Sequence, residues 1–121
     1  MEQFKLGEME QRFADLIWET EPVKSMELCK LCEQEFGWKK STVFTMLKRL
    51  CEREIFINQK GLVTALMSKE DFQAAKGQQF IENNYGGSLP QFLAAFTRYN
   101  KLSEAEIAEI QQLINDYNPA E

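Results

Sequence analysis

The 121-residue chain contains no histidine. That removes the Ser–His and Cys–His nucleophile pairs, the usual general base near neutral pH, and most zinc sites. Cysteine is scarce as well. Cys29, Cys32 and Cys51 are an odd number, which fits a reducing compartment better than a disulfide framework. Cys29 and Cys32 form a Cys-x-x-Cys pair. One such pair inside a helical stretch supplies only half of a tetrahedral site, so these thiols read as small apolar residues near a core. Long apolar runs are missing too, none approaching the roughly 18 residues that span a bilayer. The first fifteen residues, MEQFKLGEMEQRFAD, lack the basic-then-apolar order of a secretory signal. The expectation is a cytoplasmic protein without membrane insertion, without cofactor or metal, and without enzymatic activity.

What is present is an ordinary globular composition: 44% hydrophobic and 27% charged residues, with mean hydropathy −0.43. The length suits one domain, or one domain with an appendage. Net charge is −5, which argues against nucleic acid, but the charges are unevenly spread. Residues 39–60 hold Lys39, Lys40, Lys48, Arg49, Arg53 and Lys60 against only Glu52 and Glu54, while both flanking stretches are acidic. A phosphate backbone responds to the local field, so one positive window in an acidic chain is an electrostatic footprint. The competing reading is a solvated helix face.

Periodicity orders the chain. Met9, Phe13, Leu16 and Ile17 mark a helix over about Gly7–Glu19, stopped by Pro22. Ser25 is placed to cap a second helix running to Phe36, with Gly37 as its stop. A third helix is expected over Lys40–Arg53. Two β-rich runs follow, Ile55–Ile57 and Leu62–Leu66, around a turn at Asn58–Gly61. Three helices and a hairpin give the order of a winged helix-turn-helix. Capping boxes at Ser68 and Ser103, a break at Gly86-Gly87 and a restart at Ser88-Leu89-Pro90 make the remainder three helices. The fold class is thus mainly α with a small β-hairpin wing. The expected domains are a winged helix-turn-helix over 1–67 and a helical segment over 68–121.

The third helix divides into two faces at about 100° per residue. Val43, Leu47 and Leu50 fall together, with Met46 beside them, and form a core face. Ser41, Phe44, Thr45, Lys48 and Glu52 fall opposite, with Thr42, Arg49 and Arg53 on the border. A face of hydroxyls and cations suits a major groove, hydroxyls bonding base edges and cations bonding phosphates. Lys39, Lys40, Arg49, Arg53 and Lys60 are the expected phosphate contacts. Lys48 is grouped with the base-facing side chains. Phe44 has two readings, packing against a neighbouring element or contact with a thymine methyl group.

The stretches LGEMEQRFADLIWE, STVFTMLKRLCEREI, SKEDF, FIENNYGG and LSEAEIAEIQQLI resemble the penicillinase-repressor family (BlaI/MecI/CopY type) from about Leu6 to Tyr117. The most specific parts are the pattern Thr42-x-x-Thr45-x-x-x-Arg49-Leu50 and the Tyr85-Gly86-Gly87 break. The resemblance implies a homodimeric repressor that binds an inverted-repeat operator in double-stranded DNA. It puts Ser41, Thr42, Phe44 and Thr45 at DNA-reading positions. Family members commonly carry a basic residue where this chain has Phe44, and their wings are longer and more basic than one keeping only Lys60. In antibiotic-responsive members a membrane sensor-protease system triggers cleavage between Asn and Phe. The matching bond is Ala95–Phe96, which keeps the Phe and not the Asn. The cysteine cluster of the copper-responsive branch is absent from the C-terminal NDYNPAE.

The last three expected helices carry Phe72, Phe80, Phe92, Phe96, Ile107, Ile110 and Ile114 as apolar residues at helical spacing. Some fifty residues bury such faces poorly alone, so these side chains are expected to pair two subunits. The alternative to a DNA-binding repressor is a winged-helix module that binds protein, favoured by the acidic total charge, Phe44 and the short wing.

Overall fold

A computed structural model of the chain describes residues 4–119. Its elements run α1 (Glu8–Thr20), β1 (Val23–Lys24), α2 (Ser25–Phe36), α3 (Lys40–Glu52), β2 (Phe56–Gln59), β3 (Leu62–Ala65), α4 (Lys69–Tyr85), α5 (Leu89–Tyr99) and α6 (Glu104–Asp116). The mainly helical class with a small hairpin wing is as expected, with one added strand. Two compact units divide between Gln79 and Phe80, a boundary inside α4.

Local chemistry fixes the ends of the elements in the first unit. The Glu10 carboxylate accepts the Gly7 N–H at 2.9 Å and opens α1. Gly37 closes α2 in the left-handed region, at φ 69° and ψ 25°. Its N–H donates to the Glu33 carbonyl at 3.0 Å and that of Trp38 to Cys32 at 3.4 Å, a stop that glycine adopts without the Cβ penalty. α3 ends in the same manner on a residue that does carry a Cβ, Glu54 at φ 63°, and the Ile55 N–H reaches back to the Leu50 carbonyl at 3.2 Å.

Ser25 does not cap α2 as the sequence suggested. It is the first helical residue, Lys24 takes the cap position without a side-chain bond, and the Ser25 N–H donates to the Gly61 carbonyl at 2.8 Å. The reason lies some forty residues away. Val23–Lys24 pairs antiparallel with β3, Val23 opposite Val63 and Lys24 opposite Leu62, giving the strand order β1-β3-β2. The wing turns on Lys60 and Gly61, both at positive φ (52° and 87°), because Gln59 stands opposite Leu62. A two-residue turn with that backbone matches the twist of its strands. Asn58 Oδ1 braces the turn by accepting the Gly61 N–H at 3.1 Å.

Phe13, Ile17, Leu28, Cys32, Val43, Leu47, Leu50, Ile55, Phe56 and Val63 share one core, each at most 2% exposed. Phe72, expected on a pairing face, belongs here instead. It is 1% exposed and meets the rings of Trp18 at 5.3 Å and Phe4 at 5.8 Å. Helical spacing alone could not assign it, since the start of α4 returns to α1: Lys69 pairs with Asp15 at 3.3 Å and the Trp18 indole donates to the Met67 carbonyl at 3.0 Å.

The second unit begins at Phe80 and contains the end of α4, α5 and α6. Gly86 and Gly87, at φ 56° and 81°, make the break after α4. The Ser88 hydroxyl accepts from the Gln91 N–H at 3.1 Å to open α5. Ser103 and Glu106 form a reciprocal capping box at 3.0 and 2.9 Å to open α6. No helix among the described residues is long and apolar enough to cross a membrane.

Candidate nucleic-acid interface

The core side of α3 is sealed by Val43, Leu47 and Leu50, so its opposite side is presented at a fixed angle. Ser41, Thr42, Thr45, Lys48 and Arg49 are all exposed there, and Lys39 and Lys40 are exposed at the helix start. Thr42, Thr45 and Arg49 lie three and four residues apart and so make one stripe along the helix. No acidic side chain occupies the first turn. The stripe therefore offers short hydroxyl donors and acceptors flanked by cations that no carboxylate at the helix start neutralises. Arg49 leans on Met46, its guanidinium Nη1 3.7 Å from the thioether sulfur.

Two sequence-expected members of the stripe sit differently. Phe44 is only partly exposed and packs against the core cluster, which agrees with packing on a neighbouring element. Arg53 is turned inward. Its Nη1 donates to the Lys5 carbonyl at 2.7 Å and its Nη2 lies 3.8 Å from Glu10, so it ties the N-terminal segment and α1 to the end of α3. An arginine so engaged braces the fold, a role its place in the basic window does not show.

Lys60 is exposed at the tip of the wing, as its position in the turn requires. Sequence reasoning overlooked Lys24, which is exposed and lies opposite Leu62, beside that turn. The only local signal was a valine–lysine pair ahead of α2; the pairing that brings it to the wing is long-range.

All three thiols are held in the protonated form by burial. Burial pushes the Cys32 thiol up to about 12, with Cys29 nearby adding to the effect. Burial also raises Cys29, partly offset by the Lys40 ammonium, and raises Cys51, partly offset by a backbone hydrogen bond from Asn58. Protonated thiols are poor metal ligands and poor nucleophiles. Among the described residues no group of three or more His, Cys, Asp or Glu could hold a metal ion.

The second unit carries an apolar surface with no interior. Neither α5 nor α6 has a buried residue. Phe80, Tyr85, Phe92 and Phe96 form a chain of ring contacts at 5.4–6.1 Å, yet Phe80 and Phe96 remain 50% and 41% exposed. Ile107 and Ile114 are exposed and Ile110 half-buried. A shallow groove of about 230 Å³ between α5 and α6 is lined by Leu93, Thr97, Leu102, Ile107 and Ile110. The Ala95–Phe96 bond lies inside α5, and the Phe96 carbonyl accepts both the backbone N–H (3.1 Å) and the side-chain amide (2.9 Å) of Asn100.

The sequence model of a family described as penicillinase repressor matches residues 6–116. The chain is 23% identical over 117 residues to a penicillinase repressor of Bacillus licheniformis, covering 93% of this chain and 91% of that protein. It is 21% identical to a penicillinase repressor of Staphylococcus aureus, covering 94% of each. It is 20% identical to the methicillin resistance regulatory protein MecI of Staphylococcus aureus (strain Mu50 / ATCC 700699), covering 93% of this chain and 94% of that protein.

Proposed function

Because the chain belongs to the penicillinase repressor family, we propose that it is a homodimeric transcriptional repressor whose two α3 helices enter successive major grooves of an inverted-repeat operator. The observation that carries this reading is the exposed stripe of Ser41, Thr42, Thr45, Lys48 and Arg49 on a helix anchored by Val43, Leu47 and Leu50. Ser41, Thr42, Thr45 and Lys48 read base edges, and Phe44 reaches base methyl groups only with its exposed edge. Lys39, Lys40, Arg49 and Lys60 hold phosphates, and Lys24 joins them at the wing. For the hydroxyls this follows from reach, since they are short enough to let the helix sit deep, and Lys48 joins them by its place on the same face; the remaining cations, at the helix start, the border of that face and the wing, span to the backbone.

Pairing runs through the second unit. Phe80, Phe92, Phe96, Ile107, Ile110 and Ile114 supply an apolar surface that one chain leaves open, and an identical surface on a second copy closes it with two-fold symmetry. Cutting Ala95–Phe96 would divide this pairing segment and release the operator. That bond lies mid-helix, so α5 must open before a protease of a membrane sensor system could grip it.

The test is duplex binding by fluorescence anisotropy across a salt series. With five cations on phosphates in each subunit, about ten per dimer, log K falls against log salt with a slope of about −9. Weak binding to every duplex tried, insensitive to salt, would instead favour a protein-binding winged helix.

A further inference from the structure

Between α2 and the start of α3 lies an open concavity of about 530 Å³ that the stripe on α3 does not use. Met26, Cys29 and Trp38 line it with apolar surface, and Lys30, Lys39 and Lys40 line it with charge, against one carboxylate, Glu33. All three lysines are exposed. The Trp38 ring is held by Phe36 and Phe13, with centroids 4.9 and 5.4 Å away, so it presents a fixed flat wall. Gly37 also lines the concavity, and nothing lies within 4 Å of where a Cβ would project from it. The mouth is open on that side. A volume of this size falls within the roughly 300–1,000 Å³ typical of small-molecule sites.

We propose that this concavity binds a small organic anion with a flat apolar body, of the aromatic carboxylate class, and that the occupied site excludes duplex DNA. Apolar walls around Trp38 favour an aromatic body over a bare inorganic ion, whose hydration they cannot replace. An excess of two lysines over the single glutamate selects a negative head group. Exclusion follows because Lys39 and Lys40 line the concavity and also serve as phosphate contacts. The site stands on its own observations, and only the exclusion rests on the DNA-binding reading.

The intact 15N-labelled chain titrated with 2-naphthoate tests this, since its two tryptophans give separate indole signals. The Trp38 signal should move saturably, with a Kd of about 0.1–1 mM for a ligand of a dozen or so heavy atoms. The Trp18 indole, bonded to the Met67 carbonyl, should stay in place. Lys30→Gln, outside the proposed DNA contacts, should weaken naphthoate binding about two- to fivefold, the scale of one exposed charge. No saturable movement of Trp38, or an equal movement with inorganic phosphate, overturns the site. Duplex affinity measured without naphthoate tests the repressor reading by itself. If duplex binds and saturating naphthoate leaves its affinity unchanged, the exclusion is overturned. If naphthoate binds and no duplex does, the site stands while the repressor reading and the exclusion fall.

Discussion

Replacing Arg53 by alanine separates a cation that braces the fold from one that holds phosphate. Arg53 gives a 2.7 Å charged hydrogen bond to the Lys5 carbonyl and lies 3.8 Å from Glu10, with the two side chains 29% and 16% exposed. A hydrogen bond to a charged group contributes about 1.5–3 kcal/mol when buried and less at the surface, where this one lies, and the long, partly solvated ion pair adds a few tenths at most. Arg53→Ala should therefore destabilise the first unit by about 1–2 kcal/mol, lowering its Tm by roughly 4–16 °C at the scale of a domain under a hundred residues. Its salt slope for duplex binding should match that of the unsubstituted chain at a temperature where both are folded. Arg49→Ala should do the reverse, leaving Tm within a degree or two and removing about one phosphate contact per subunit from the slope. Calorimetry and anisotropy on the same preparations give both quantities. If Arg53→Ala leaves Tm unchanged and flattens the salt dependence, Arg53 is a phosphate contact and the strut assignment is wrong.

Phe72→Ala should cost about 3–5 kcal/mol by emptying a fully buried ring site, and should leave any dimer dissociation constant nearly unchanged. Chemical denaturation and sedimentation together check it. Ile114→Glu, on the exposed side of α6, should shift sedimentation from dimer to monomer while the first unit keeps its unfolding transition. Glu54→Gly should stabilise the chain by about 0.5–1 kcal/mol in thermal unfolding, because glycine takes the positive φ that strains a residue with a Cβ. Folding raises the Cys32 thiol from 9.0 to about 12, so its contribution is complete below pH 9, where the thiol is protonated in both states. That contribution is lost as pH rises towards 12, and Cys32→Ala should flatten alkaline unfolding monitored by circular dichroism in this window.

The readable parts of the sequence were those governed by neighbours along the chain. Val43, Leu47 and Leu50 return at helical spacing, so the buried side of α3 and its exposed stripe follow from counting. Gly37, Ser88 and the Ser103–Glu106 pair act within a single turn, and their roles were equally local. Features made by distant partners were not readable. Val23–Lys24 is too short to show alternation, and it becomes a strand because β3 lies alongside it. That pairing takes the Ser25 N–H away from a capping geometry and brings Lys24 to the wing. Phe72 has the spacing of Phe80 on the same helix but packs with Trp18, more than fifty residues earlier. Arg53 reads in the sequence as one more cation in a basic window, and only the fold sets Lys5 and Glu10 beside it.

The small sheet also bears on behaviour in concentrated solution. Exposed strand edges invite another chain to add on, and length makes them better templates. Here one edge is the two-residue β1, which passes directly into α2, and the other is the four-residue β2. Just beyond β1, where a longer strand would have continued, Glu21 Oε1 accepts the Ala65 N–H at 2.8 Å. A side chain thus completes the ladder on the β1 side, where an intruding backbone would otherwise extend it.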